Sequence, residues 1–273
     1  DENGIIVNGR HIAVTRCKAG EWEWKRLGVT LAVETTGTIK DAEGLAQHLA
    51  CGAKKVVISA PGKDVDAMIV MGVNHHIYDG AKHNIISAAS CTTNCLAPAV
   101  KVLHDTFGFR HGLMTTIHSY TMSQRILDGT HKDWRRGRAA AVSMVPSSTG
   151  AAKAVGVVMP ELEGKLNGMS VRVPTFDCSL VDLTCEVERH CDAVAVNEAL
   201  KAASEGSLGV HMGFTEEPLV SIDFRGSTHG GVVDALSTQV LDGTMVKVLI
   251  WYDNEAGFTH QLLRLLRMVG GTC

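Results

Sequence analysis

The sequence predicts an α/β unit with a parallel sheet over about residues 1–90, followed by an α+β unit. In the first unit, short apolar runs alternate with a helical pattern, as in parallel strands covered on both faces. In the second unit, long strand patterns occur with few helices between them, which is typical of a mixed or antiparallel sheet. With 273 residues, the chain is long enough for one large domain or two ordinary ones.

Each element of the first unit has its own pattern. Residues 4–15 alternate around Asn8-Gly9, a pair typical of a two-residue hairpin turn. Residues 39–52 have apolar positions at helical spacing and stop at Gly52, which predicts a helix. Buried strands are predicted at the continuous apolar runs, which are residues 28–36, 55–60 and 84–89.

The second unit begins with a helix predicted from Cys91 to Asp105. An amphipathic helix predicted at 255–269 closes the chain, and two further helices are expected at 150–159 and 194–204. Strands are predicted at residues 111–119, 170–173, 181–187, 219–224, 231–236 and 246–251.

The composition excludes several classes of function. Hydrophobic residues make up 45% and charged residues 20%, as in soluble globular proteins. A net charge of -3 gives no reason to expect nucleic-acid or membrane-surface binding. No apolar run approaches the ~20 residues that span a bilayer, and no signal-peptide pattern occurs at the N-terminus. We expect a cytoplasmic protein. The spacing of the eight cysteines fits neither a zinc site nor a disulfide scaffold, so no metal is predicted.

Cys91 lies where a buried strand turns into a helix. The N–H groups and dipole of a helix N-terminus favour a thiolate and bind anions. His118 follows the strand that ends at Ile117 and could act as counter-charge and general base. On spacing alone, a cysteine at such a position is more often a packed core residue than a nucleophile. A histidine at the end of a strand is likewise more often a hydrogen-bonded structural residue than a catalytic one.

Longer strings resemble the glyceraldehyde-3-phosphate dehydrogenase family, from about Ile5 to about Val269. They are SAASCTTNCLAP, TTIHSYT, RRGRAAA, VPSSTGAAKAVG, GKLNGMSVRVPT and WYDNEAGF. The resemblance implies a Rossmann-type dinucleotide-binding domain over 1–90, partial because its first βαβ unit is missing. This domain would be followed by a catalytic domain of the family type over 91–253. A C-terminal helix over 254–273 would then return to the first domain.

The resemblance also implies an activity, the phosphorylating oxidation of glyceraldehyde 3-phosphate with NAD or NADP in glycolysis or gluconeogenesis. Cys91 would add to the aldehyde, pass through a thiohemiacetal and carry the acyl group as a thioester to inorganic phosphate. His118 would keep Cys91 ionised and shuttle the proton, and the Cys91 N–H would hold the oxyanion. A homotetramer is expected.

The binding residues follow from the same strings. The substrate phosphate is matched to Thr121, Arg136 and Arg172, and the fork of an arginine suits a phosphate monoester. The attacking phosphate is matched to Ser90, Thr92, Thr149 and Gly150. The cofactor is matched to Thr35, Thr36, Gly37, Ser59 and Asn254.

The chain departs from the family pattern in several places. It begins with Asp1, at a hairpin that in the family follows roughly 60 residues of the first βαβ unit, so we expect weak NAD binding. Phe176-Asp177-Cys178 replaces the usual Pro-Asn-Val, and Ser123 stands where many NAD-preferring members have Asp. Two alternatives stay open: an erythrose-4-phosphate dehydrogenase, and a scaffold with a reactive thiol but no hydride transfer.

Overall fold

A β-hairpin and a small parallel sheet make up the first part of the computed structural model, which describes residues 4–273. Asn8 and Gly9 both have positive φ (49° and 75°), as the tight hairpin turn requires. Residues 1–3, which the predicted first domain includes, lie outside the described residues. The hairpin strands are β1 (Gly4–Val7) and β2 (Arg10–Ala13).

The parallel sheet has four strands in the order β3-β4-β6-β5, and every pairing in it is parallel. The strands are β3 (Leu31–Glu34), β4 (Lys55–Ile58), β5 (Ala67–Met68) and β6 (Ile85–Ser87). Three of the four were predicted, and β5 was missed because two residues carry no pattern. The carboxyl ends of these strands share one edge, where ligands bind in open parallel sheets.

Helices cover both faces of this sheet. Helix α1 (Ala42–Ala50) begins at Asp41, whose Oδ1 accepts a hydrogen bond from the Gly44 N–H at 2.8 Å, and its Leu45 is fully buried. The final helix, α5 (Ala256–Gly270), packs on the other face. Its Leu265 and Val269 join a cluster with sheet residues Val57, Ile69 and Ile86. Both faces are therefore buried, as the continuous apolar strands predict.

The second part is a seven-stranded mixed sheet in the order β11-β12-β13-β10-β7-β9-β8. Its strands are β7 (Phe109–Ser119), β8 (Val145–Ser148), β9 (Leu166–Val173), β10 (Ser179–Val187), β11 (Met212–Thr215), β12 (Gly231–Leu241) and β13 (Met245–Tyr252). Three helices contribute to its core, namely α2 (Cys91–Phe107), α3 (Ala151–Val158) and α4 (Ala193–Glu205). The predicted α/β plus α+β class is confirmed.

One predicted strand is wrong. Residues 219–224 contain a 3-10 turn, Ser221–Phe224, instead of a strand. The Asp223 Oδ2 accepts a hydrogen bond from the Val220 N–H at 2.9 Å, which curls the chain locally. Phe224 then stacks on Trp251, with ring centroids 5.4 Å apart. The turn therefore buries Phe224, whereas Val220 and Ile222 stay exposed. Among residues 4–273, no helix has the length and apolar character needed to cross a membrane.

Candidate active site

The N-terminus of α2 lies at the edge where β6 ends. Ser90 caps the helix, since its Oγ accepts a hydrogen bond from the Thr93 N–H at 3.0 Å. Ala89 has a φ of 59°, which turns the chain sharply between strand and helix. The N–H groups of Cys91 and Thr92 have no acceptor within the helix by position. They can bind an oxyanion or a phosphate oxygen.

Cys91 and His118 lie next to each other. The Cys91 Sγ is 3.6 Å from the His118 Nε2. Cys91 is half-buried and His118 is buried near the end of β7. The N-terminus of α2 therefore supplies the thiol and strand β7 of the mixed sheet supplies the imidazole, a pairing that sequence spacing alone leaves open.

Arg172 contacts the other side of the imidazole. It is paired with His118 in the parallel register of β7 and β9. Its Nη1 lies 2.7 Å from the His118 Nδ1 and 2.9 Å from the Ser119 carbonyl oxygen, which is itself 2.7 Å from that Nδ1. A neutral ring nitrogen either accepts from the guanidinium or donates to the carbonyl. Arg172 therefore helps to decide whether Nε2 carries a proton toward Cys91.

The ionisation of this pair differs from the sequence-based expectation. Burial raises the pKa of the Cys91 thiol, and this outweighs the hydrogen bonds from Thr92 and the positive charge of Arg172, which lower it. Burial, followed by the Arg172 charge, lowers the pKa of His118 to about 4. The expected thiolate–imidazolium pair is therefore not favoured in this arrangement, where a neutral thiol faces a neutral imidazole. The reason is desolvation, with a cation already beside the ring.

Tyr252 contacts both Thr92 and His118 from the interior of the protein. Its buried hydroxyl lies 2.9 Å from the Thr92 Oγ1 and 2.8 Å from the Thr116 Oγ1. Its ring also meets His118 edge-on at 5.9 Å. Burial raises the pKa of Tyr252, so the phenol stays neutral and can donate a hydrogen bond. Sequence reasoning missed this residue, because a tyrosine at the end of an apolar strand is ordinary.

The other predicted anion-binding residues are only partly brought together. The Arg136 Nη2 lies 3.5 Å from the Ser148 carbonyl, next to Thr149 in the chain. The Thr149 Oγ1 accepts a hydrogen bond from the Ala151 N–H at 3.2 Å, and Gly150 follows at the start of α3. Thr121 is half-buried, and its hydroxyl contacts Ser123 at 3.0 Å rather than the thiol or the imidazole.

The cofactor-matched residues at the sheet edge are held by Glu34. The Glu34 Oε1 accepts hydrogen bonds from the N–H and the hydroxyl of Thr36. The Glu34 carbonyl accepts from the Ser59 N–H at 3.0 Å. His48 lies behind, with its Nε2 3.2 Å from the Glu34 Oε2 and its Nδ1 accepting from the Trp24 indole at 3.1 Å. This buried chain orders the Thr35-Thr36-Gly37 loop, and sequence reasoning did not find it.

Asn254 is oriented by two serines. Its Oδ1 accepts hydrogen bonds from the Ser119 hydroxyl at 2.7 Å and the Ser179 hydroxyl at 2.8 Å. The amide oxygen is thus used, so the Nδ2 is left to donate to another group. An amide donor fixed beside the end of β7 fits the carboxamide of a nicotinamide. The residues present therefore fit the nicotinamide end of NAD or NADP.

Comparisons with known proteins agree with this geometry. A sequence profile described as "Glyceraldehyde 3-phosphate dehydrogenase, C-terminal domain" matches residues 90–254, more than half of the chain. A protein of Geobacillus stearothermophilus named "Glyceraldehyde-3-phosphate dehydrogenase" is 56% identical over 264 residues, 96% of this chain and 79% of that protein. "Glyceraldehyde-3-phosphate dehydrogenase 1" of Bacillus subtilis is 53% identical over 97% of this chain and 79% of its own length. "Glyceraldehyde-3-phosphate dehydrogenase 2" of a Nostoc species is 52% identical, with coverages of 98% and 80%.

Proposed function

This chain belongs to the glyceraldehyde-3-phosphate dehydrogenase family, and on that premise we propose that Cys91 is the nucleophile of its reaction. The activity is the NAD(P)-dependent, phosphorylating oxidation of glyceraldehyde 3-phosphate. The observation that carries the assignment is the 3.6 Å contact between the Cys91 Sγ and the His118 Nε2 at a helix N-terminus. We propose His118 as the acid and base of the same reaction.

The first step is addition of Cys91 to the aldehyde. The sulfur bonds to the carbonyl carbon, and the His118 Nε2 takes the thiol proton and returns it to the new oxyanion, which gives a thiohemiacetal. The free N–H of Cys91 stabilises that oxyanion before it is protonated. When bound, NAD(P) would accept the hydride. The residues that would hold it are Thr35, Thr36, Gly37, Ser59 and Asn254.

The second half of the reaction releases the acyl group from Cys91. A phosphate oxygen bonds to the acyl carbon of the thioester, and the carbon–sulfur bond breaks to leave a thiolate. His118, protonated while the carbonyl re-formed, stabilises this leaving group. We propose that the attacking phosphate is held by Ser90, Thr92, Thr149 and Gly150, because unpaired N–H groups at the start of a helix bind anions.

The substrate phosphate is assigned to Thr121, Arg136 and Arg172. Arg172 now donates toward His118 and Ser119, and its Nε is buried without a partner in the described part of the chain. A phosphate monoester accepting from this guanidinium would draw it from the His118 Nδ1. The Nδ1 would then donate to the Ser119 carbonyl, which leaves the Nε2 free to accept the thiol proton. Substrate binding and activation of Cys91 are thereby coupled.

The proposed function is tested by comparing two aldehydes with the same enzyme. We expect kcat/KM for glyceraldehyde 3-phosphate to exceed that for erythrose 4-phosphate by about 10-fold or more, because an added carbon misplaces the aldehyde when the phosphate is fixed. NAD and NADP are each tried as hydride acceptor, and Cys91→Ser is the blank. A higher value with erythrose 4-phosphate would point to the other dehydrogenase. Turnover unaffected by Cys91→Ser would remove the nucleophile assignment.

We propose that the protein assembles as a homotetramer. Large apolar side chains are exposed in the segment between β7 and β8, with Met122 fully exposed, Trp134 90% exposed and Leu127 79% exposed. Exposed apolar surface of this kind marks a contact with another protein. Cytoplasmic location, and domains divided at residues 90 and 253, are part of the same proposal.

The assembly is checked by light scattering. We expect a mass several times that of one 29.2 kDa chain, and a smaller mass for Trp134→Glu, because a buried carboxylate at a contact is costly. Ile77→Glu, which changes an exposed apolar residue outside the segment, is the control and should leave the mass unchanged. A monodisperse monomer in the unsubstituted chain would contradict the proposal.

A further inference from the structure

Asp177, Cys178 and Asp253 form a cluster where the turn between β9 and β10 meets the end of β13. One ligand atom from each residue, a carboxylate oxygen or the sulfur, lies within 4.8 Å of both others. Cys178 is 3% and Asp253 2% exposed, and the Asp177 side chain is 10% exposed. Asp177 and Cys178 are two of the positions at which this chain departs from the family string. The cluster is therefore a feature of this chain, outside the proposed reaction.

The backbone directs these side chains inward. Cys178 has a φ of 65°, and its N–H donates to the Asp177 Oδ1 at 2.7 Å. The Asp253 Oδ1 accepts from the N–H groups of Glu255 and Ala256, and its Oδ2 accepts from the Gly226 N–H at 2.7 Å. Both carboxylates are thus held in place by backbone N–H groups, and each has further lone pairs with which it can bind a cation.

The sulfur is the unpartnered member of the cluster. In the part of the chain that the structure describes, the Cys178 Sγ neither donates nor accepts a hydrogen bond, although the residue is almost fully buried between two carboxylates. Free cysteine is ordinarily packed among apolar atoms. Cys178 does pack against Phe224 and Val232, but its sulfur also lies within 4.8 Å of a carboxylate oxygen of Asp177 and of Asp253, and the three together have the donor set of a metal site.

The charges of the cluster are not balanced by the protein. The nearest cation is Arg225, whose Nε is 3.8 Å from the Asp177 Oδ2, and its side chain is mostly exposed. Asp177 and Asp253 are thus two largely buried carboxylates with oxygens within 4.8 Å of each other and little charge compensation, and a cation between them would remove their repulsion.

We propose that Asp177, Cys178 and Asp253 bind one divalent ion of the zinc type. A thiolate ligand selects a borderline-soft ion such as Zn²⁺ over Mg²⁺ or Ca²⁺, which take oxygen ligands. Three protein ligands leave the fourth tetrahedral position to water. The ion ties the β9–β10 turn to the end of β13, directly beside Ser179 and Asn254. The site is structural, and its occupancy does not depend on the roles assigned to Cys91.

The test uses Co²⁺ as the spectroscopic probe, because a thiolate–cobalt bond gives near-ultraviolet charge-transfer absorption. The full chain carries Cys91→Ser throughout, which removes the thiol of the proposed active site, and is first treated with a chelator. We expect one equivalent of Co²⁺ to bind with this absorption, to be displaced by Zn²⁺ and to release protons. Cys178→Val should abolish the absorption and weaken binding by at least about 100-fold.

Two further variants keep the result interpretable. Asp177→Asn together with Cys178→Val restores the residues usual in the family string, so it should fold, as checked by circular dichroism, and should not bind Co²⁺. Cys185→Val is the matched control, because Cys185 is also buried, with a pKa raised to about 12 by burial. It should bind Co²⁺ normally. Unchanged binding in Cys178→Val, or none in the parent chain, would overturn the proposal.

Discussion

His118→Asn should lower the kcat of glyceraldehyde 3-phosphate oxidation by about 10²- to 10⁴-fold, the usual contribution of a positioned acid–base group. The His118 Nε2 is the nitrogen that faces the Cys91 sulfur, at 3.6 Å. Asparagine is of similar size and can still donate to the Ser119 carbonyl, but it cannot take the thiol proton. Turnover is measured at saturating aldehyde, and His211→Asn, a change at a buried histidine outside the site, is the control. A kcat within a few-fold of the original would refute the assignment.

The pH dependence of the same pair has a definite sign. Because the pKa of His118 is lowered to about 4, the imidazole of the free enzyme is neutral at every higher pH and does not switch near its ordinary value. Burial raises the Cys91 pKa, so the thiolate fraction grows as the pH rises. Iodoacetamide labelling of Cys91 in the free enzyme should therefore accelerate between about pH 6 and about pH 9. A flat profile over this range would mean that the ion pair already exists without substrate.

Arg172→Ala should lower kcat/KM for the phosphorylated substrate by roughly 30- to 5000-fold. The range corresponds to about 2–5 kcal/mol, the cost of losing a charge-assisted contact when the partner charge is desolvated. Glyceraldehyde without its phosphate is the control substrate, and its kcat/KM should change far less. Cys91 labelling should persist, because the variant also removes the cation that faces the His118 Nδ1. An unchanged kcat/KM for the phosphorylated aldehyde would leave Arg172 with a role in the fold alone.

The elements that sequence predicted well have strong local signals. Helix α2 begins at Cys91 as expected, because Ser90 is a good N-cap and the apolar positions repeat at helical spacing. Strand β8 was missed because Val145-Pro146-Ser147-Ser148 neither alternates nor runs apolar, and it forms only through pairing with β9. The wrong strand at 219–224 is apolar in sequence, but a turn buries only its Phe224 and leaves Val220 and Ile222 exposed. The conformation of such segments depends on the residues they pack against elsewhere in the chain, and a local sequence pattern does not identify those residues.

The candidate site was predictable in its residues and not in its electrostatics. The strings around Cys91 and His118 identify the pair, and the structure brings them into contact. The neutral state of that pair depends mainly on burial and, for His118, also on the charge of Arg172, which lies 54 positions further along the chain and reaches the imidazole only through sheet register. The contact of Tyr252 with the site likewise depends on tertiary structure, because its hydroxyl lies between Thr92 of α2 and Thr116 of β7.

The position of α5 also sets the order in which the chain can fold during its synthesis. Val57, Ile69 and Ile86 precede every strand of the mixed sheet, yet the residues that cover them, including Leu265 and Val269, follow all of those strands. Until then one face of the parallel sheet stays open to solvent or to chaperones, because contacts between distant parts of a chain must wait for both partners. The α1 face can close once Ile85 has emerged, since Leu45 packs against Val56, Ile58 and Ile85. The nascent protein therefore carries a half-covered sheet throughout the synthesis of the mixed sheet.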